Sequence, residues 1–243
     1  MKEWFSEWFN TSYYHLLYKQ RDEQEASDFV KNMIDLLPTY DHAKILDVAC
    51  GTGRHALSLS EYGYDVTGFD LSMSSILKAK EFESENLNFY HHDMRRVFRI
   101  NYFDIVLNLF TSFGYFETLL EDEKAAYCLS TNVKKNGYLV FDYFNSISVQ
   151  QNIVHDFSLK IGDVNFKIRK NIVGRKIIKS IKVEDHDAVY NFEERVRLYS
   201  LVEIKRLFNQ FGLELQYVFG NYFLEDFHEQ KSDRMICIFK KNI

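Results

Sequence analysis

Two hydrophobic periods take turns along this chain. Residues 44–49 are a short apolar block, with Ile45, Leu46 and Val48 around Asp47, and this predicts a buried strand. Residues 65–69, 87–91, 103–109 and 138–143 repeat the pattern, and 103–109 is the most apolar of them. Helical spacing fills the gaps. Residues 22–37 read as a helix, with Asp22 and Glu25 in N-cap and N3 positions and Pro38 as its stop. A second helix runs from the Gly51-Thr52-Gly53 turn to about Tyr62, where Gly63 caps it. A third opens at Ser72 and runs through Phe82. Thr118 and Glu121 form a capping box for a fourth, to about Val133, and Asn136-Gly137 predicts a turn before the fifth strand. Apolar strands alternating with helices predict an α/β fold whose sheet is mostly parallel, doubly wound and covered on both faces.

The rhythm breaks after the fifth strand. From about 156 to 197 apolar residues alternate, as in Val164, Phe166, Ile168 and then Ile177, Ile178, Ile181, Val183. Turns at Gly162-Asp163, Gly174-Arg175 and 185–187 separate these stretches, which predicts antiparallel strands. Helical spacing resumes at Ser200, in a capping box with Glu203, and ends near Phe211 before Gly212. Strands at 213–219 and 235–240 bring the main sheet to seven. One domain, 1–145 with 198–243, is therefore expected to carry an antiparallel β insertion, 146–197. The run Trp4, Phe5, Trp8, Phe9, Tyr13, Tyr14, Tyr18 is too apolar to hang free, so residues 1–40 are expected to pack as a helical lid.

Composition narrows the class. In 243 residues, 16% aromatic content and a net charge of −5 argue against disorder. Apolar runs fall short of the roughly 20 residues of a membrane span, and residues 1–10 do not read as a signal peptide. Cys50, Cys128 and Cys237 lie far apart and form no CxxC pair, so a reducing, cytoplasmic setting is expected and no metal site is read. Charge is uneven: residues 157–183 hold eight basic side chains against Asp163 alone.

Candidate chemistry begins at Asp47-Val-Ala49-Cys50-Gly51-Thr-Gly53. The glycines stand at a strand end and helix start, where a ligand approaches the backbone closely. No Gly-Lys-Ser/Thr follows, so the loop is not a Walker loop. Gly51, Gly53 and Ala56 do match a dinucleotide spacing, but Asp47 is awkward beside a pyrophosphate and welcome beside a cation. A ligand with a sulfonium and an ammonium fits better. Asp70, at the end of the second strand, is placed to accept from ribose hydroxyls. Asp93, at the end of the third, can accept from an adenine amino group, with Met94 packing on the ring. Three acids at successive strand ends share one edge of the sheet.

These residues carry a resemblance. The segments Leu46–His55, Gly68–Ser72, His92–Arg95 and Asn108–Tyr115 resemble the class I S-adenosylmethionine-dependent methyltransferases along nearly the whole chain. More narrowly, the chain is similar to the small-molecule branch that includes N-methyltransferases of nucleotide-linked amino sugars. That implies a Rossmann-like doubly wound sheet and S-adenosyl-L-methionine as cofactor. It implies a cofactor set of Tyr14, Arg21, Asp47, Ala49, Gly51 and Gly53, continued by Asp70, Leu71, Asp93, Met94 and Asn108. Tyr14 and Arg21 would close over the methionine part, with Arg21 pairing its carboxylate. Ala49 departs from the glycine that many class I enzymes carry there.

The acceptor side is expected at Tyr18, Phe110, Ser112 and Tyr115. Methyl transfer from a sulfonium rests largely on in-line positioning, and a base matters only when the acceptor must lose a proton. His55, Tyr14, Tyr18, Tyr115 and Asp142 stand as candidates, with Tyr14, His55 and Tyr115 favoured; of His91 and His92 only one can face the site. The place of the Asn/Asp-Pro-Pro-Tyr motif of base-amino methyltransferases reads Asn108-Leu-Phe-Thr111, and the overall charge is acidic, so a small-molecule acceptor is expected rather than nucleic acid. An RNA or protein methyltransferase using the basic stretch, a non-catalytic cofactor-binding protein and a nicotinamide-dependent oxidoreductase are the alternatives. Oligomeric state stays open, a dimer included. If residues 1–21 are a lid over the cofactor, their amide hydrogen exchange slows on cofactor binding; unchanged exchange would sink that expectation.

Overall fold

A computed structural model describes residues 3–18, 23–38 and 40–242. The chain opens with α1 (Trp4–Trp8), α2 (Ser12–Leu17) and α3 (Glu23–Leu36). There follow β1 (Lys44–Val48), α4 (Arg54–Glu61), β2 (Asp65–Asp70), α5 (Met73–Ala79), β3 (Leu87–His91), β4 (Phe103–Asn108), α6 (Leu119–Asn132) and β5 (Val133–Phe144). Next come α7 (Ser146–Gln151), β6 (Asp156–Ile161), β7 (Val164–Val173), β8 (Lys176–Asp185) and β9 (Ala188–Arg197). The last elements are α8 (Leu201–Asn209), β10 (Leu213–Phe219) and β11 (Arg234–Lys241).

Seven strands form one sheet in the order β10-β11-β5-β4-β1-β2-β3. The first five strands pair in parallel, and β11 lies antiparallel between β5 and β10. β1 pairs with β2 on one side and β4 on the other, so strand order reverses there. In open α/β sheets the crevice beyond such a reversal is where ligands bind. The capping boxes at Thr118–Glu121 and Ser200–Glu203 both form, each satisfying orphan amides at its helix start.

The insertion is a separate antiparallel sheet, β6-β7-β8-β9. Its turns fall where the glycines and the 185–187 polar run stand in the sequence. One face buries Phe166, Ile168, Ile181 and Val183 against Trp8, which is 1% exposed, and the partly buried Tyr14 and Tyr18 pack on the same cluster. Trp8, Tyr13, Tyr14 and Tyr18 of the N-terminal aromatic run pack there, while Phe5 joins the core of the main sheet.

Two local features differ from the sequence reading. β5 starts at Val133, five residues early. Its pairing with β4 jumps from Phe103↔Val133 to Ile105↔Tyr138, so the Asn136-Gly137 turn survives as a bulge, with Asn136 at φ 63°. Helix α7 is an addition within a stretch read as β insertion. Six residues are too few to show a period, but Asn145 caps it by accepting from the Ile147 amide at 3.1 Å. Replacing Thr118 by Ala should remove one cap, cost about 1 kcal/mol and lower the melting temperature by about 2–4 °C. Differential scanning calorimetry reads this directly.

Candidate active site

A cavity of about 790 Å³ opens at the carboxyl edge of the parallel strands, roofed by α1, α2 and part of β9. Each strand end delivers a group to it. β1 ends in Asp47, then turns through Ala49 at φ 60° and Gly51 at φ 58°. A side chain built on Gly51 would meet nothing within 4 Å, so its open side is available to a ligand. Gly53 works differently: a Cβ there would sit 2.5 Å from the Phe89 ring, and it is the left-handed N-cap of α4. Gly53 thus lets helix and sheet close-pack and does not line the cavity.

Asp47 is 2% exposed, and its Oδ2 makes no hydrogen bond. Burial first, and the charge of Asp70 second, push its carboxyl up to about 7, while Arg54 pulls the other way. Asp70 accepts the Gly51 amide at 2.9 Å and the Ser72 amide at 2.7 Å, which fixes the glycine loop; burial raises its pKa against those amides. Asp93 is held by Arg95, whose Nη2 donates to Oδ2 at 2.7 Å. Burial alone would raise the Asp93 pKa, but the Arg95 bonds outweigh it and the carboxyl sits below its ordinary value. Arg95 also donates to Glu3 and Glu121, so it ties the Asp93 loop to the N-terminal segment. Leu71 and Met94 line the cavity beside these acids.

The other half of the wall follows β4. Phe110 and Thr111 both have left-handed backbone, φ 55° and 60°. Two such residues in succession cost about 1–2 kcal/mol each without glycine. Asp142 holds them: its Oδ2 accepts the Phe110 amide at 2.7 Å and its carbonyl the Thr111 amide at 3.0 Å. Its carboxylate also accepts from Arg234 at 2.9 and 2.6 Å and from the Tyr222 hydroxyl at 3.2 Å. So engaged, Asp142 leaves the set of candidate bases. The turned-out Phe110 ring stacks on His55, centroids 5.0 Å apart, and lies under the Arg54 guanidinium at 4.4 Å.

Tyr14, His55 and Tyr115 all reach the cavity wall, as do Tyr18, Phe110, Ser112 and His92. The Tyr115 ring packs edge-on against Trp4 at 5.5 Å, and Ser112 donates to the Leu109 carbonyl at 2.8 Å. The Tyr18 hydroxyl donates to Glu194 at 2.7 Å and accepts from Lys179, so its proton is committed. Asn108 is fully buried off the wall, its Nδ2 3.3 Å from the Val48 carbonyl, and joins the ends of β1 and β4. Arg21, expected on the cofactor carboxylate, lies outside the described residues. Among the described residues no group of three His, Cys, Asp or Glu is placed to hold a metal ion, and no helix is long and apolar enough to cross a membrane.

Comparison with known proteins decides the family. Residues 18–218 match the family model described as Methyltransferase domain, Methyltransf_23. The chain belongs to this methyltransferase family. Among curated relatives, the Bacillus subtilis protein YqeM, named as a methyltransferase, is 33% identical over 117 residues. That match spans 46% of each chain, so this chain covers about half the length of that relative. The Streptomyces venezuelae enzyme dTDP-3-amino-3,4,6-trideoxy-alpha-D-glucopyranose N,N-dimethyltransferase is 24% identical over 217 residues, 85% of this chain and 91% of its own. A solved S-adenosylmethionine-dependent methyltransferase from Clostridium acetobutylicum superposes with a TM-score of 0.79 at 19% identity, covering 95% of this chain and 96% of that one. The last likeness is one of fold.

The methyltransferase wall suits S-adenosylmethionine. A buried carboxylate with an oxygen unpartnered calls for a cation, and Asp47 is one. Two wall residues, Glu194 and Arg234, and Arg95 behind Asp93 escaped the sequence reading. Glu194 accepts from the Trp8 indole at 2.8 Å and from Tyr18, and the alternation Phe192, Glu194, Val196 does place it on the inward face of β9. Arg95 and Arg234 had no such signal, since Arg95 meets Glu3 and Glu121, and Arg234 meets Asp142, only through tertiary contacts distant in sequence.

Asp47 gives a signed prediction. Its folded pKa is raised above the ordinary carboxylate value of 3.8, so the neutral form stabilises the ligand-free fold at low pH, and that increment is lost progressively as pH rises from the ordinary value to about 7. Asp47→Asn should leave ligand-free stability unchanged below about pH 4, raise it modestly at pH 5 and most at pH 8, by roughly 3–5 kcal/mol at most. Affinity for S-adenosylhomocysteine should move oppositely, weakening in wild type by up to about tenfold per pH unit below 7, and being low and flat with pH in the variant. Calorimetry across pH checks both.

Proposed function

We propose that this methyltransferase moves a methyl group from S-adenosylmethionine to a nitrogen or oxygen atom of a small-molecule acceptor. The roof carries this reading. Phe5, Phe9 and Tyr14 on one side and Glu194 and Val196 of the insertion on the other cover a cavity of the volume typical of small-ligand sites. The sugar N,N-dimethyltransferase relative, matched over most of both chains, supports the same substrate class.

The basic stretch supports it as well. Lys167 and Lys182 pair with Glu184, Arg169 with Asp156, Arg175 with Glu203, Lys176 with Glu117 and Lys179 with Glu194. Neighbouring carboxylates thus meet six of its eight cations, as on a solvated outer face rather than a phosphate track.

Bound S-adenosylmethionine supplies an electrophilic methyl on a sulfonium, already a good leaving group. The protein's part is placement. Asp47 meets the cationic end, Asp70 and Asp93 the adenosine, and the Gly51 backbone allows close approach. Phe110, Tyr115 and Tyr14 hold the acceptor in line and keep water out. Where the acceptor must shed a proton, His55, Tyr14 and Tyr115 are the groups at hand.

Titration calorimetry with S-adenosylhomocysteine and, separately, NAD tests the reading. S-adenosylhomocysteine alone should bind, and Asp70→Ala should weaken it by about 10–100-fold through loss of a charged hydrogen-bond acceptor. Binding of NAD, or of neither ligand, would refute the assignment. Radiolabelled methyl transfer across a panel of amines and hydroxyls then identifies the acceptor.

A further inference from the structure

Arg234 opens β11 at the end that meets the carboxyl edge of β5, where it pairs with Phe144. Sheet order places it beyond β4, on the side away from Asp70 and Asp93. Its guanidinium has three nitrogens. Nε and Nη2 both donate to Asp142 Oδ1, at 2.9 and 2.6 Å, and Nη2 also donates to the Thr111 hydroxyl at 3.0 Å. Nη1, with two N–H groups, has no hydrogen bond among the described residues, and it is not a buried atom. The side chain is 19% exposed and forms part of the cavity wall.

Asp142 offsets the charge of Arg234 but leaves Nη1 and its two N–H donors uncommitted. The Asp142 carboxylate also accepts from the Phe110 amide and the Tyr222 hydroxyl, so it is shared among several donors. The same contacts lock the guanidinium plane, which leaves Nη1 oriented at little further entropic cost. Arg54, over the Phe110 ring at 4.4 Å, lines the cavity too and adds to the positive field. The acids of β1, β2 and β3 therefore stand across from two guanidinium groups, of which that of Arg234 is held in a fixed plane.

We propose that the methyl acceptor carries an anionic group, a carboxylate or a phosphate, and that Arg234 Nη1 grips it. This rests on the small-molecule methyltransferase reading and adds the charge of the acceptor. Arg234 here is a binding and orienting residue, setting which end of the acceptor points toward the methyl group.

The test uses the full chain saturated with S-adenosylhomocysteine, at low ionic strength. Acetate and inorganic phosphate are titrated calorimetrically, with acetamide as the neutral control. At least one anion should bind tenfold or more tighter than acetamide. Preference for acetate assigns a carboxylate, and preference for phosphate a phosphate. Arg234→Lys keeps a cation for Asp142 but has no second nitrogen to offer, and should erase the preference. Truncating Arg234 alone would strand a buried carboxylate, so the second variant is Arg234→Gln with Asp142→Asn, which removes both charges and should also erase it. Retained S-adenosylhomocysteine affinity shows that each variant folds. Equal binding of acetamide and both anions, or an anion preference that survives in folded Arg234→Lys, overturns the proposal. Failure of wild type to bind S-adenosylhomocysteine instead overturns the methyltransferase reading itself.

Discussion

The acceptor half of the site depends on one buried carboxylate. Asp142, at the end of β5, is fully buried and accepts from an amide of the β4 loop, an arginine of β11 and the Tyr222 hydroxyl. Without these bonds the consecutive left-handed residues Phe110 and Thr111 would relax toward extended backbone, because nothing in their side chains favours that conformation. The turn matters because of what it aims. Phe110 stacks between His55 and Tyr222 and lies beneath Arg54, so the wall residues His55 and Arg54, and Tyr222 behind them, pack on its ring. A carboxylate that looks from sequence like a candidate base is instead the fastening of the loop.

The cavity is divided by charge along the sheet. Asp47, Asp70 and Asp93 end β1 and its outer neighbours, and Arg234 stands past β4. Each acid is restrained in its own way, Asp70 by backbone amides, Asp93 by Arg95, and Asp47 at Oδ2 by nothing. Desolvation makes that last arrangement costly for a carboxylate, and the raised pKa of Asp47 is the same cost in other terms. A site that keeps such a group gains affinity for a cation at the expense of stability without one. On the proposed function, the two strand-end acids on β2 and β3 would hold the adenosine, and Asp47 would meet the cationic end.

Much of this was legible from the sequence, for a physical reason. Strands, capped helices and glycine turns are local, so the seven-strand sheet, the capping boxes and the hairpin turns of the insertion could be read from periods and caps. The three strand-end acids were legible because parallel topology brings successive strand ends to one edge. What escaped depends on partners distant in sequence. Asp142 and Arg234 are 92 residues apart and meet only because β11 pairs antiparallel with β5. Arg95 reaches Glu3 across a similar gap. Gly53 was read as ligand contact and proves to be a packing glycine, a difference that needs the position of Phe89 to see. Asn108, also read as a cofactor contact, turns inward to the β1 carbonyl rather than outward to the cavity.

The roof shows how burial and charge share one task. Trp8 and Phe5 are almost wholly buried, one against the insertion and one in the main core beside Phe116, and burial on this scale contributes about 1.5–3 kcal/mol per large side chain. The polar contacts around them are worth less individually, partly exposed ion pairs contributing about 0–1 kcal/mol. Their value is direction. Glu194 takes the Trp8 indole and the Tyr18 hydroxyl together, so the two N-terminal helices can meet β9 in only one register. Asn10 and the Phe9 carbonyl meet Ser72 at the start of α5, and Glu3 meets Arg95 beside Asp93. The N-terminal segment is thus held to the insertion at one end and to the strand-end acids at the other. A ligand that draws on Asp93 therefore acts on Arg95 and, through it, on the segment that covers the cavity.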